Sequence, residues 1–431
     1  MSMERVSRRA FMKRSVAASA GFRVASGSSI LGANSDIRVA VVGFRGQGRH
    51  HIAGFHKPGS GSRVVAICDV DEKVLYGKED EFKKRGESVA TYIDFRKMLE
   101  DKNIDAVSIA TPEHQHITVA SHAVIAGKDA YVEKPLSHTV AEGRYFYDLA
   151  RKHNRIVQHG TQSRSSEGVQ EGIEFVKSGK LGKCRVAKAI NCQRRGPIGH
   201  KEDMPTPAHV HYDLWLGPAP VRPFNENRYH YSWHWWWDYG SGDCGNDGSH
   251  QIDVARWGLG VDLPSAVTCS GGQLWYRDDH ETPDTQTATF EYDGCHIVWE
   301  MRLWTPYKQE QHDNGNIFYC DEGWVSIGRS GWEAFAKDGQ RVGGAPRGKE
   351  EHRENFLQAV RSRKTSDLTA DAREGHYTSL LCHTANIAMR TGQRLVIDAK
   401  TERFVGDGAE KANRLRTKTY RKGFELPGFK G

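Results

Sequence analysis

The sequence predicts an α/β protein in two parts: a parallel sheet wound with helices, then an α/β domain carrying a large, mostly antiparallel sheet. Two textures predict it. From residue 37 to about 158, short apolar runs at 37–42, 64–68, 106–110, 130–132 and 156–158 alternate with longer polar segments of helical character. Continuous apolar strands separated by helices are buried on both faces, the pattern of β-α-β units. After about residue 160 the texture changes. Polar loops rich in Trp, His, Gly and Pro fill 193–248, and stretches at 266–270, 285–292, 296–304 and 324–327 read as strands, several of them alternating apolar and polar residues. That alternation marks strands with one covered face, as in an antiparallel sheet. Segments 351–363 and 377–391 read as late helices, and the chain beyond about 400 as a polar, basic tail wrapping the surface. The divisions are 1–35, 36–160, 161–395 and 396–431.

Composition sets the outer bounds. A chain of 431 residues can bury two cores. It contains no run of 18 apolar residues, so no membrane span is expected. The formal charge of +7 is concentrated at the front, where Arg5, Arg8, Arg9, Lys13, Arg14 and Arg23 face only Glu4. The remainder is too nearly neutral for a nucleic-acid surface. The eight cysteines include no C-x-x-C pair. They read as buried small apolar residues, with no essential disulfide and no cysteine-built metal site. No His/Glu spacing suggests a metal, and no Ser-His-Asp arrangement is readable.

The first strand runs into Gly43-Phe44-Arg45-Gly46-Gln47-Gly48 and then a helical segment. Glycine is needed there for a sharp turn, for close approach of backbone to a pyrophosphate, and for close packing of helix on strand. The helix N-terminus then offers N–H groups and a favourable dipole to phosphates. Arg45 stands where the G-x-G-x-x-G motif has its second glycine, and Gly46 beside it can restore the close approach. Asp69 ends the second strand, where an acid hydrogen-bonds adenosine ribose hydroxyls and repels a 2′-phosphate. The reading is a Rossmann domain that binds NAD rather than NADP; the bland alternative is a glycine turn and a helix-capping Asp. Two further strand ends lie at the ligand-binding carboxyl edge. In Thr111-Pro112-Glu113-His114, Thr111 is placed to cap the next helix with Pro112 at its first position. In Glu133-Lys134-Pro135, the lysine brings a cation to that edge, unless it is simply solvated.

These residues resemble the Gfo/Idh/MocA oxidoreductases over about residues 36–395, Glu133-Lys134-Pro135 being the most specific mark. The resemblance implies a cofactor site of Gly43, Phe44, Arg45, Gly46, Gly48, Asp69, Thr111, Pro112, His114, Glu133 and Lys134, with Lys134 the catalytic lysine beside the nicotinamide. Segment 158–164 looks like the family's entry into the second domain. The family's D-x-G-x-H-x-x-D motif reads here Asn246-Asp247-Gly248-Ser249-His250-Gln251-Ile252-Asp253. His250 and Asp253 are in register, but Asn246 replaces the usual Asp. The spacing puts Asn246, His250 and Asp253 on one helix face. His250 is then the acid/base, Asn246 a group positioning a substrate hydroxyl, and Asp247 faces elsewhere. Asp253 either orients His250 or pairs with Arg256. The aromatic run 229–240, with Trp236 and Asp238, either builds a hydrophobic wall or stacks on sugar faces while polar groups bond hydroxyls. Arg194, Arg195 and His211 precede it as further candidates for the pocket wall.

The expectation is hydride transfer between NAD and a secondary alcohol of a sugar or glycoside, by an enzyme that is a homo-oligomer through its C-terminal sheet. The alternative is an NAD-retaining glycosidase or sugar–sugar oxidoreductase working by transient oxidation. A third option is a non-catalytic ligand-binding relative, which Asn246 favours and intact Lys134 and His250 oppose. Ser7-Arg8-Arg9-Ala10-Phe11-Met12-Lys13 resembles a twin-arginine export signal, followed by a small-residue stretch with a cleavage point after Ala33. That places the protein in the periplasm or cell envelope.

Overall fold

The computed structural model describes residues 36–430, so the export-signal reading of 1–35 lies outside the described residues. The first domain holds six parallel strands: β1 (Ile37–Val42), β2 (Ser62–Cys68), β3 (Ala90–Tyr92), β4 (Ala106–Ile109), β5 (Asp129–Val132) and β6 (Val157–His159), in the order β3-β2-β1-β4-β5-β6. Between them run α1 (Gly48–Phe55), α2 (Glu72–Lys84), α3 (Phe95–Met98), α4 (His116–Ile125) and α5 (Val140–Lys152). Every residue of β4 and β5 is buried, as a sheet covered on both faces requires. Local signals start the helices. The Asp71 side chain accepts from the Lys73 and Val74 N–H groups at the head of α2, and Thr139 and Glu142 form a capping box on α5. Strand β3 has no signal in the sequence, because three half-exposed edge residues carry no apolar run.

The second domain adds a ten-stranded sheet. Its strands are β7 (Cys184–Asn191), β8 (Ala266–Gly272), β9 (Thr285–Tyr292), β10 (Cys295–Arg302), β11 (Asn314–Cys320), β12 (Gly323–Gly328), β13 (Gly331–Ala336), β14 (Arg341–Pro346), β15 (Leu395–Asp398) and β16 (Arg403–Val405). The order is β14-β13-β12-β11-β7-β10-β9-β8-β15-β16, with β7 and β10 the parallel pair among antiparallel neighbours. Helices α6 (Glu167–Lys177), α7 (Tyr212–Leu216), α8 (Gly242–Asn246), α9 (Gly248–Leu259), α10 (His352–Ser362), α11 (Ala372–Thr391) and α12 (Ala409–Arg414) complete the chain. Ile173 of α6, Ile252 of α9 and Leu381 of α11 join Ala187, Phe290, Trp299 and Phe318 of the sheet in one core. Strand β9 shows the alternation, burying Gln286, Ala288 and Phe290 while Thr287 is exposed.

Two expectations are corrected here. Cys184 and Cys320, read as buried apolar residues with no essential disulfide, are joined by a disulfide. They face each other across the β7–β11 pairing, a proximity that a sequence separation of 136 conceals. The tail is also more than a surface wrap. Residues 403–405 add the edge strand β16, Leu426 is buried in the first domain's core, and the Lys418 ammonium reaches Glu142 of α5 at 2.9 Å.

Candidate active site at the edge of the parallel sheet

A cavity of about 670 Å³ opens at the carboxyl edge of β1, β2, β4 and β5 and is closed by residues of the second domain. Gly43 turns the chain out of β1 at φ +74°, and a Cβ there would sit 2.9 Å from the Thr111 backbone. A Cβ on Gly48 would sit 2.1 Å from the Gly43 carbonyl oxygen, so this glycine lets α1 pack on the turn. Gly46 lines the cavity, and a Cβ there would meet no protein atom within 4 Å. Phe44 and Arg45 line it too. The Arg45 guanidinium lies against Asp71 at 3.2 Å and against the His230 ring.

Asp69 forms part of the wall. Its carboxylate accepts from the Phe44 N–H and the Asp71 N–H, each at 3.0 Å, which leaves lone pairs for a ligand. Burial pushes its pKa up to about 6, against the pull of those two N–H groups. Pro112 and Thr111 line the opposite side. Thr111, expected to cap the following turn, does not; among the described residues its buried hydroxyl has no hydrogen-bond partner.

The second domain brings Asn246 and His250 to the same cavity. They do not share one helix, as the motif spacing suggested. Asn246 ends α8, and Asp247 links it to α9. The Lys134 ammonium donates to Asn246 Oδ1 at 2.5 Å, a bond between the end of the β5 strand and the end of α8. The His250 ring makes no side-chain hydrogen bond among the described residues. Burial, then the charge of Lys134, lowers its pKa. Glu133 lines the cavity beneath Lys134 and accepts from His51 at 2.9 Å and from Gln162 at 3.0 Å. Burial opposes its ionisation, but the His51 bond and nearby cations outweigh that and hold its pKa far below the usual range.

Besides Gly48, which packs behind the turn, five candidates lie elsewhere. His114 is buried, with Nε2 2.9 Å from the Trp215 carbonyl oxygen, while His116, two residues on, lines the cavity. Arg194 is exposed to solvent; its neighbour Arg195 turns inward to Asp243 and Asp247. Trp236 is core, donating from its indole to the Asn227 carbonyl at 2.6 Å. Asp238 is paired with Arg222 at 2.5 Å. Asp253 is fully buried and held bidentately by Arg164 at 2.7 and 2.9 Å, with Thr378 donating at 2.6 Å, so it can touch neither His250 nor a substrate. Asp247, expected to face elsewhere, does not line the cavity; its carboxylate takes part in the Arg195–Asn246 cluster. Of the earlier candidates, His211 pairs with Glu72 at 2.8 Å.

Family models match both parts of the chain: the oxidoreductase family's NAD-binding Rossmann fold over residues 37–161, and its C-terminal alpha/beta domain over 197–426. The chain belongs to the Gfo/Idh/MocA oxidoreductase family. It is similar to inositol 2-dehydrogenase 1 of Saccharopolyspora erythraea, 30% identical over 185 residues that cover 42% of this chain and 54% of that protein. It is also similar to glycosyl hydrolase family 109 protein 2 of a Shewanella species, 32% identical over 127 residues, 27% of this chain and 28% of that protein. The chain thus spans about half, or less, of the length of these curated relatives. In fold it is similar to the WlbA dehydrogenase of Bordetella pertussis, solved with NADH and UDP-GlcNAcA: TM-score 0.65 and 19% identity, covering 84% of this chain and 99% of that one.

The cavity of this family member fits a dinucleotide: a glycine cradle, an unpartnered Thr111 hydroxyl and a carboxylate with free lone pairs converge on it. Sequence reasoning missed His116 and Gln162, and did not single out Tyr229, His230, Tyr231, Trp233 and His234 as the members of the aromatic run that line the cavity. The aromatic run itself was visible, but not which of its rings turn inward.

Two outcomes are expected. Asp69→Ala should weaken NAD binding by about 1–3 kcal/mol and NADP binding less. Because burial raises the Asp69 pKa, its negative charge is lost as pH falls through about 6. The NAD:NADP affinity ratio, measured by calorimetry, should therefore fall between pH 8 and pH 5, and a flat ratio would remove Asp69 from cofactor selection. Asp253→Ala would leave Arg164 buried without its bidentate partner, and should cost about 3–5 kcal/mol of stability in denaturant unfolding. A variant of native stability but no activity would return Asp253 to the chemistry.

Proposed function

We propose that this protein transfers hydride between NAD and a secondary alcohol of a sugar or glycoside. The observation that carries the reading is the convergence of Lys134 and His250, from different domains, on the cavity beside the glycine turn. When bound there, NAD supplies the hydride acceptor or donor. Lys134 keeps two ammonium N–H groups beyond the one given to Asn246, and they stabilise the negative charge that develops on the substrate oxygen as its proton leaves, before hydride transfer discharges it. His250, its pKa lowered by burial and by Lys134, is neutral at pH 7 and takes the hydroxyl proton. Asn246 cannot ionise, so it holds and orients without moving a proton. Tyr231, Trp233 and His234 wall the cavity, exclude water and offer faces to sugar C–H groups. The similarity to an inositol dehydrogenase supports a polyhydroxylated substrate.

A second reading is favoured by the similarity to a glycosyl hydrolase family 109 protein. Oxidation of a glycoside at C3 acidifies C2–H, loss of that proton expels the aglycone from C1, water adds across C1–C2, and hydride returns to C3. We further propose export by the twin-arginine route, on the strength of residues 7–13, and homo-oligomerisation through the C-terminal sheet, supported by exposed Leu274, Trp275 and Tyr307 beside it.

The test is to identify by mass any dinucleotide released from the purified protein, then assay sugars and glycosides with and without added NAD. Lys134→Ala should abolish turnover while leaving NAD bound, and His250→Ala should reduce kcat on the order of 10²–10⁴-fold. Lys134→Ala activity within about tenfold of the unaltered protein would overturn the assignment. Turnover of a glycoside without added NAD would select the second reading. Arg8→Lys/Arg9→Lys should hold the protein in the cytoplasm, and undiminished export would refute that route. Sedimentation as a monomer would refute the oligomer.

A further inference from the structure

The family's usual carboxylate is missing at Asn246, yet a carboxylate lies one helical turn before it. Asp243 is fully buried and lines none of the cavity. Its Oδ1 accepts from Asn246 Nδ2 at 2.8 Å, its Oδ2 accepts from Asn191 Nδ2 at 2.6 Å, and the Arg195 guanidinium lies 3.4 Å from each of the two oxygens. Asp247 Oδ2 lies 3.4 Å from the same Asn246 nitrogen. An amide side chain has two orientations that exchange its donor and acceptor ends. Here one end meets carboxylates and the other meets the Lys134 ammonium. Flipping Asn246 would set N–H groups against an ammonium and a carbonyl against carboxylates, and every contact would become repulsive.

We propose that Asp243 is a positioning residue: its buried carboxylate fixes the Asn246 amide so that the carbonyl oxygen holds Lys134 at the cavity wall. The carboxylate that the family places beside the lysine is moved one layer back and acts through a neutral amide. The assignment rests on the reading of Lys134 given above, but its geometry does not require that any sugar be turned over.

The pairing makes an exchange test possible. In Asp243→Asn, the short bond from Asn191 draws the new amide's oxygen toward Asn191, so its N–H groups face those of Asn246 and the lock is broken. In the double variant Asp243→Asn/Asn246→Asp, the amide at 243 donates to the carboxylate at 246, whose other oxygen faces Lys134, and every donor again has an acceptor. Two readouts are taken. One is the rate of reductive methylation of Lys134 in the protein alone, with formaldehyde and a borane reductant, followed by peptide mass spectrometry. The other is kcat on whichever sugar is active.

Asp243→Asn should speed Lys134 methylation several-fold and lower kcat on the order of 10²-fold, the scale of a misplaced reacting group. The double variant should return both toward the starting values. Asn246→Ala, which leaves no wrongly facing polar group, should speed methylation as Asp243→Asn does, and serves in its place if that variant fails to fold. Unchanged methylation in Asp243→Asn, or in Asn246→Ala where that stands in, would overturn the proposal. So would a double variant that recovers neither readout, since a merely structural Asp243 would not be rescued from position 246. Methylation needs no substrate, so a protein inactive on every sugar would refute the proposed function while leaving this inference decided by the labelling.

Discussion

A buried ionic knot fixes the second domain's half of the site. Arg164, just past the first domain, is nearly inaccessible, and its guanidinium grips Asp253 of α9 by both oxygens. Glu374 of α11 accepts from Arg164 at 2.9 Å and from Arg256. Charges so enclosed are tolerable only when each is paired and hydrogen-bonded, so the geometry has little freedom. The knot fixes α9 and α11 against the start of the second domain. That placement brings Asn246 and His250 to the carboxyl edge of the parallel sheet, where Lys134 waits at the end of β5. The groups proposed to react come from separate domains; the knot holds the second domain's share in place, and the Lys134–Asn246 bond joins it to the first domain's.

The parallel sheet was legible because its strands are buried on both faces and therefore read as unbroken apolar runs. The second sheet was legible in part. Strands β9 and β10 alternate cleanly, but β13 and β14 contain Gly-Trp-Glu-Ala-Phe-Ala and Arg-Val-Gly-Gly-Ala-Pro, whose glycines and polar residues conceal strands held by their neighbours. The Cys184–Cys320 pair depended on register across that sheet, which no local pattern reports.

The site shows the same division. Residues set by local backbone demands, such as Gly43 and Asp69, sit where the motif put them, at the cavity wall. Residues chosen for their chemistry in loops did not. Trp236 and Asp238 belong to the same run as Trp233 and His234, but the 3₁₀ turn over residues 230–235 brings His230, Tyr231, Trp233 and His234 to the cavity, while Trp235 and Trp236 pack into the core. Asp253 keeps the motif's register and points the other way, because helix α9 places it on the face that meets Arg164. Register therefore located the helix, while tertiary partners decided which of its side chains can meet a ligand.

The central claim is that Lys134 and His250 jointly serve a hydride transfer at one cavity. The most direct measurement is a single turnover: NAD-loaded protein is mixed with excess inositol or glycoside, and the near-ultraviolet absorbance of reduced nicotinamide is followed in time. The predicted result is a rise that is slowed when the oxidised carbon carries deuterium and is slowed on the order of 10²–10⁴-fold in His250→Ala at unchanged NAD occupancy. A rise of equal rate in that variant, or none with any polyol or glycoside in the unaltered protein, would contradict it.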